Sequence, residues 1–406
     1  MTLARSVWST NRGVRQALLT AGTPLSEGFR RGLERSGVWA VYVDDRFGAG
    51  VEPPEVVSPE TRERAMQAIG GVYQRAAQAG GHTRVTGDDM EELDLLVAQV
   101  LREITASGRL VWCLDDLGSF DRYTLRHSVN VMVLGLMVGR EALASMGWSD
   151  WRGDVRFDQS DERLRRLGLG LLLHDIGKVI IPEPILKKPG PLTPDEMDIV
   201  RQHPQAGVDM VQGDTLGALS RVVILHHHER IDGSGYPHGR EGDGVHVHAQ
   251  IAAMADVYDA VSSTRVYAAR RPTHEAWELV MSMSGTGFAQ PLVEVFKRAV
   301  APYPEGVAVL LSDGRRGIVA RNDREHTSRP LVRVTHDAQV RRLPDPEDVE
   351  LFAHRALTIV DTLPDLEGDP GAPDPDRLEQ AAFAADVRGE LACMPEVEPG
   401  HARTAA

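Results

Sequence analysis

The chain has 406 residues, 42% of them hydrophobic and 26% charged, a composition able to bury a core and a length beyond one compact domain. Its formal net charge of −14 excludes broad electrostatic capture of a nucleic-acid polymer, which needs clustered Lys and Arg, but not a small anion held by metal ions. Two cysteines, Cys113 and Cys393, offer neither a disulfide framework nor a CxxC metal motif, so a reducing, cytoplasmic setting is expected.

In chain order, the first residues contain Arg5, Arg12 and Arg15 without a sustained apolar stretch and do not read as a signal peptide. A helix is expected over residues 27–36 and a strand over 38–43, followed by a proline-rich connector at 51–59. From residue 59 to 107 apolar residues recur at helical spacing, with Met66, Ile69, Val72 and Tyr73 first and Leu93, Leu96 and Val100 later. The longest apolar run, 129–139, falls short of the roughly 20 residues that a spanning helix needs, so no membrane partner is expected. After Pro302-Tyr303-Pro304 the pattern changes to strands at 307–311, 317–320 and 331–335, with a turn at Ser312-Asp313-Gly314. Beyond Pro364 the acidic, proline-rich stretch 367–375 reads as a flexible linker, with a helix over 377–393. The expected division is a regulatory region at 1–115, a catalytic domain at 116–300, a β module at 301–364 and a tail at 365–406.

Histidines and aspartates gather in the 116–300 segment. Neutral imidazole and carboxylate are usual ligands of divalent first-row metals, and a bridging carboxylate can hold two ions roughly 3.5–4 Å apart. His127 shares a helical face with Val131 and Leu134; on that ground alone it is either a ligand or a satisfied core histidine. His174 and Asp175 end an apolar helix just before Gly177, a costly place for polar groups unless a metal, or each other, engages them. Lys178 follows one turn after His174 and can face either a phosphate oxygen or solvent. Thr193, Pro194 and Glu196 form a helix start. That helix should stop near His203, because Pro204 disfavours helical geometry in the residue before it, leaving His203 exposed at a helix end. His226, His227 and His228 precede a turn with Gly233, Gly235, Tyr236 and Pro237, whose backbone amides can approach an anion. Asp256 and Asp259 lie three apart on one face of an alanine-rich helix, and Arg265 follows on a turn where it can meet a phosphate.

Taken together, the stretches YTLRHSVNV, LLLHDIGKVIIPEPILKKPGPLTPDE, RQHPQAGVDM, HHERIDGSGYPHG and ADVYDAVSSTRVY resemble, in order and spacing, the HD-GYP family of phosphodiesterases, a branch of the HD superfamily. The resemblance implies a mainly α protein: an HD-type helical bundle with a small N-terminal mixed and helical region and a small C-terminal β module. It implies two divalent ions, iron or manganese, one held by His127, His174, Asp175 and Asp256 and the other by His203, His227 and His228, with Asp175 bridging. Asp175 and Lys178 are the implied catalytic residues, Lys178 also steadying the phosphate. Gly233, Gly235, Tyr236 and Pro237 would shape the substrate loop, with Asp259 and Arg265 as further substrate contacts.

The implied substrate is cyclic di-GMP, hydrolysed to pGpG or GMP by water activated between the ions; other partners are a second copy or a signalling protein. His226 has no counterpart in the family's two-histidine pattern and is not expected to ligate. Tyr123 stands where three-metal members carry glutamate, which implies two ions. Ala268 stands where a basic residue is common, with Arg270 and Arg271 close by. Two other readings are an HD phosphohydrolase acting on another nucleotide and a catalytically silent sensor that binds cyclic di-GMP.

Overall fold

The computed structural model describes residues 2–11, 14–35, 41–44, 47–51, 55–78, 85–107, 123–149, 152, 154–188, 190–211, 216–263, 272–363 and 366. At the N-terminus β1 (Thr2–Leu3) pairs antiparallel with β4 (Val43–Asp44), a hairpin joins β2 (Val7–Asn11) to β3 (Val14–Leu19), and α1 (Glu27–Arg35) follows the hairpin. Leu3, Val7 and Leu33 close a small core of their own. The strand expected at 38–43 is reduced to β4 among the described residues, residues 36–40 lying outside them.

Helices α2 (Pro59–Gln78) and α3 (Gly87–Ser107) stand where helical spacing predicts them. Ala65, Ile69, Val72 and Ala76 of α2, with Leu93, Val97, Val100 and Ile104 of α3, form apolar stripes with three- and four-residue steps. Both stripes enter the large core that the central helices share.

That central bundle comprises α4 (Tyr123–Met146), α5 (Ser160–Leu173), α6 (Glu183–Leu186), α7 (Pro194–Val200), α8 (His203–Met210), α9 (Gly217–His226), α10 (Val247–Ser262), α11 (Thr273–Ser282) and α12 (Gln290–Ala299). A short ribbon of β5 (Trp148–Ser149) and β6 (Val155–Arg156) separates α4 from α5, and a 3-10 turn, Ile176–Ile180, follows α5. Residues 124–146 of α4 are long and apolar enough to cross a membrane by length and composition, yet 72% of the most apolar window is buried inside the protein. This is the central core helix, packed on α5, α10 and α12.

A five-stranded antiparallel sheet closes the fold, with β7 (Ala308–Leu311), β8 (Arg316–Arg321), β9 (Leu331–His336), β10 (Arg342–Glu350) and β11 (Ile359–Leu363) in the order β10-β9-β8-β7-β11. Val309, Leu311, Val319, Val332, Val334, Val349 and Leu351 supply its separate core. The protein is therefore mainly α with a small C-terminal sheet. β10 and β11 add to the three strands that alternation predicts. Pro344 and Pro346 disguise β10, but it is an edge strand with a register shift between Arg342 and Glu347, where a missing N–H breaks no ladder. The helix expected at 377–393 lies outside the described residues.

Candidate metal centre

Helix ends build the centre. α5 ends at Leu173; His174 caps it and Asp175 opens the tighter 3-10 turn, so adjacent residues project into one space. Gly177 lets this turn lie directly on α8. A Cβ there would stand 2.6 Å from the Gly207 amide nitrogen and closer still to the His203 carbonyl oxygen.

The chain breaks before Pro204 as expected, but His203 is not exposed. It begins α8 rather than ending α7, and α8 packs against the 3-10 turn, which buries the ring completely. His227 and His228 follow α9, His127 lies in the first turns of α4, and Asp256 projects from α10.

Hydrogen bonds settle which ring nitrogen is free. Nδ1 of His174 lies 2.7 Å from the Leu171 carbonyl, Nδ1 of His203 2.7 Å from the Val200 carbonyl, and Nδ1 of His227 2.8 Å from the Ile224 carbonyl. Nδ1 of His127 lies 2.7 Å from Asp259 Oδ2. A backbone carbonyl carries no proton, so Nδ1 of His174, His203 and His227 must donate, which in a neutral ring leaves Nε2 as the acceptor. Yet Nε2 of His203 and Nε2 of His227 stand only 3.2 Å apart. Two lone pairs at that range repel unless a cation lies between them.

The donors fall into two groups, His127, His174 and Asp256 in one and Asp175, His203, His227 and His228 in the other, with all donor atoms of each group within 4.8 Å of one another. Asp175 Oδ2 lies 3.4 Å from His174 Nε2 and 3.8 Å from His127 Nε2. Its Oδ1 lies 3.4 Å from His203 Nε2 and 3.8 Å from His227 Nε2. His174 Nε2, His228 Nε2 and Asp175 Oδ1 are buried without a hydrogen-bond partner, an expensive state in a protein interior. These imidazole and carboxylate donors fit a pair of divalent first-row ions.

Burial also keeps three of the imidazoles uncharged. It pushes His203 down to about 4 and holds His227 and His228 well below the ordinary histidine value. Burial opposes ionisation of Asp175, but His174 and Lys178 outweigh it and keep the carboxyl well below the usual carboxylate range. For Asp256 the same opposition from burial is outweighed by its contact with His127, at 3.1 Å. Lys178 Nζ donates to Asp175 Oδ2 at 2.8 Å from the partly exposed rim.

Asp259, expected as a substrate contact, lies in the protein interior. It is buried behind His127, where it accepts from His127 Nδ1, from Asn130 Nδ2 at 2.9 Å and from Ser263 Oγ at 3.0 Å. One turn beyond Asp256 on α10, it reaches the rear of the imidazole whose front nitrogen faces Asp256. Arg265, Ala268, Arg270 and Arg271 lie outside the described residues, as does the Tyr123 side chain.

The loop after the histidine run folds flat against it. Gly233 has a φ of 80°, and a Cβ at Gly235 would meet the His228 carbonyl oxygen at 2.5 Å. Tyr236 stacks on His228 with ring centroids 4.6 Å apart and planes at 20°, and a cis peptide joins it to Pro237. The Arg201 guanidinium lies 5.7 Å from the Tyr236 ring centre. Glu229, fully buried, holds the loop's far side by accepting from the backbone N–H of His238 at 2.8 Å and of Arg240 at 2.9 Å. Asn130, Arg201 and Glu229 escaped the sequence reading. The signal for two of them was present: Asn130 shares a helix face with His127, and Glu229 directly follows the histidine run.

A helical bundle that sets a His-Asp doublet between two donor groups defines an HD-domain protein, and residues 155–290 match the HD domain family. The chain is 35% identical over 287 residues to a cyclic di-GMP phosphodiesterase of Pseudomonas aeruginosa, covering 70% of this chain and 64% of that protein. It is 42% identical over 125 residues to a cyclic di-GMP phosphodiesterase response regulator of Xanthomonas campestris, covering 30% of this chain and 31% of the regulator. It is 38% identical over 125 residues to a 3'3'-cGAMP-specific phosphodiesterase of Vibrio cholerae, covering 30% of this chain and 24% of that enzyme. The chain thus spans less than two thirds of the length of each of these relatives. The chain therefore carries an HD domain and is similar to cyclic dinucleotide phosphodiesterases.

Proposed function

We propose that the protein is a metal-dependent phosphodiesterase that hydrolyses cyclic di-GMP to pGpG or GMP. The observation that carries this reading is the Asp175 carboxylate, which turns one oxygen toward each of two buried donor groups. Relatives with cyclic dinucleotide phosphodiesterase activity support it.

In this reading His127, His174 and Asp256 hold one ion, His203, His227 and His228 hold the other, and Asp175 spans the pair. Bound iron or manganese supplies an acidified water and Lewis-acid stabilisation of a phosphoryl oxygen. Asp259 and Asn130 hold the His127 ring in its ligating orientation and tautomer. Lys178, at the rim, turns from Asp175 to donate to a phosphoryl oxygen as negative charge develops there. The loop from Gly233 to Pro237, with Tyr236 fixed on His228, walls the substrate side. No side-chain nucleophile takes part.

The test is anaerobic purification, elemental analysis and product identification from cyclic di-GMP, 3'3'-cGAMP and linear pGpG. Two metal equivalents and fastest turnover of cyclic di-GMP are expected. Metal-replete protein that binds cyclic di-GMP without turning it over is a sensor, and the proposal fails; preference for 3'3'-cGAMP would reassign the substrate.

A further inference from the structure

We propose a second cation site, independent of the catalytic reading: His226, Glu229 and His238 hold a zinc-class divalent ion that clamps the loop of residues 233–240 to the end of α9. The three side chains offer His226 Nε2, His238 Nδ1 and a Glu229 carboxylate oxygen, all within 4.8 Å of one another.

His226 Nε2 and His238 Nδ1 lie 3.2 Å apart. A tetrahedral ion bonded to nitrogen at 2.0–2.1 Å sets two such ligands about 3.3 Å apart. The Glu229 carboxylate spends two acceptor positions on the backbone N–H groups of His238 and Arg240, and an ionised carboxylate has about four. A further lone pair is therefore left for an ion. Glu229 Oε1 stands 3.9 Å from His238 Nδ1, slightly wide for a shared ion. A small rotation of His238, whose side chain is 48% exposed, would close that gap. The same exposure gives an ion a way in and leaves a position for water.

Two imidazoles and one carboxylate are a borderline donor set that selects zinc, cobalt or nickel over magnesium or calcium. A zinc ion here would tie the end of the helix that carries the histidine run to the chain just after Pro237. Loop order would then depend on a cation that never touches the Asp175 centre.

The test uses the full chain with its main centre loaded with manganese, equilibrated with zinc against a chromophoric chelator, desalted, and analysed for both metals. Wild type is expected to keep one zinc equivalent beyond whatever zinc replaces manganese in the main centre. His238→Gln, at a half-exposed position that spares the fold, and His226→Gln are each expected to weaken that equivalent at least about tenfold, as loss of a ligand requires. Hydrogen exchange in residues 233–240 should slow on zinc addition in wild type only. Equal zinc retention by all three proteins, zinc bound only in exchange for manganese, or zinc bound without slowed exchange in the loop would overturn the proposal.

Discussion

Replacing Gly177 by alanine tests how the centre is positioned. The added Cβ would lie 2.6 Å from the Gly207 nitrogen and 2.9 Å from the His203 carbonyl carbon, where ordinary contact begins at 3.4 Å. Every atom it meets there is backbone, so no side chain can rotate away. The 3-10 turn and α8 must separate by about 1 Å, and His203 moves with α8, away from Asp175 Oδ1. Overpacking of this kind costs about 1–3 kcal/mol of stability, and a 1 Å misplacement at a reacting centre lowers turnover about 100-fold. Elemental analysis should show loss of the ion held by His203, His227 and His228, with the His127 group still loaded. Urea unfolding should show a lower midpoint. Gly177→Ala protein with both ions and a wild-type midpoint would refute the argument.

Three further outcomes are expected. Asp259→Asn should leave the fold intact and lower metal affinity in the His127 group about 10- to 100-fold, the usual effect of losing the partner that orients a ligand; competition against a chelator measures it, and unchanged affinity counts against the orienting role. Asp175→Ala should empty both groups and abolish turnover, and a variant with full metal content and activity would contradict the spanning assignment. His248 is buried with both ring nitrogens unpartnered, and burial, then His246 and Arg163, push it from 6.5 to about 3. Between those values the unfolded chain binds the proton that the folded one refuses, so the stability contribution is complete above pH 6.5 and is lost as pH falls through 3. Its size is up to roughly 5 kcal/mol. In metal-free protein, urea midpoints taken across this range should fall less steeply for His248→Leu than for wild type; identical slopes would contradict the assignment.

How far the centre was legible varies by residue. Local signals such as a helix end, a glycine turn or an apolar face interrupted by a polar group mark where the seven donors lie, but the family resemblance is what named them together as ligands. His203 shows the limit of that method. Pro204 correctly marks a break in the helix, but nothing local reveals that α8 then packs under the Asp175 turn and buries the ring. Asp259 shows a second limit, because three-residue spacing says that two carboxylates share a face, not that one reaches the front of an imidazole and the other its back. In the sheet, Pro344 and Pro346 masked β10, since their tolerance depends on an edge position that only strand order defines. The β2–β3 hairpin was missed for lack of clean alternation in its strands.

The donors run from position 127 to position 256, with intervening helices contributing in between. No fragment short of that span can assemble both donor groups, so under the proposed function the full pair of ions would be captured only after α4 and α10 have docked. Metal uptake would then report on finished tertiary structure: a chain in which those helices fail to dock would lack the full pair, and stripping the ions would remove a clasp between α4 and α10.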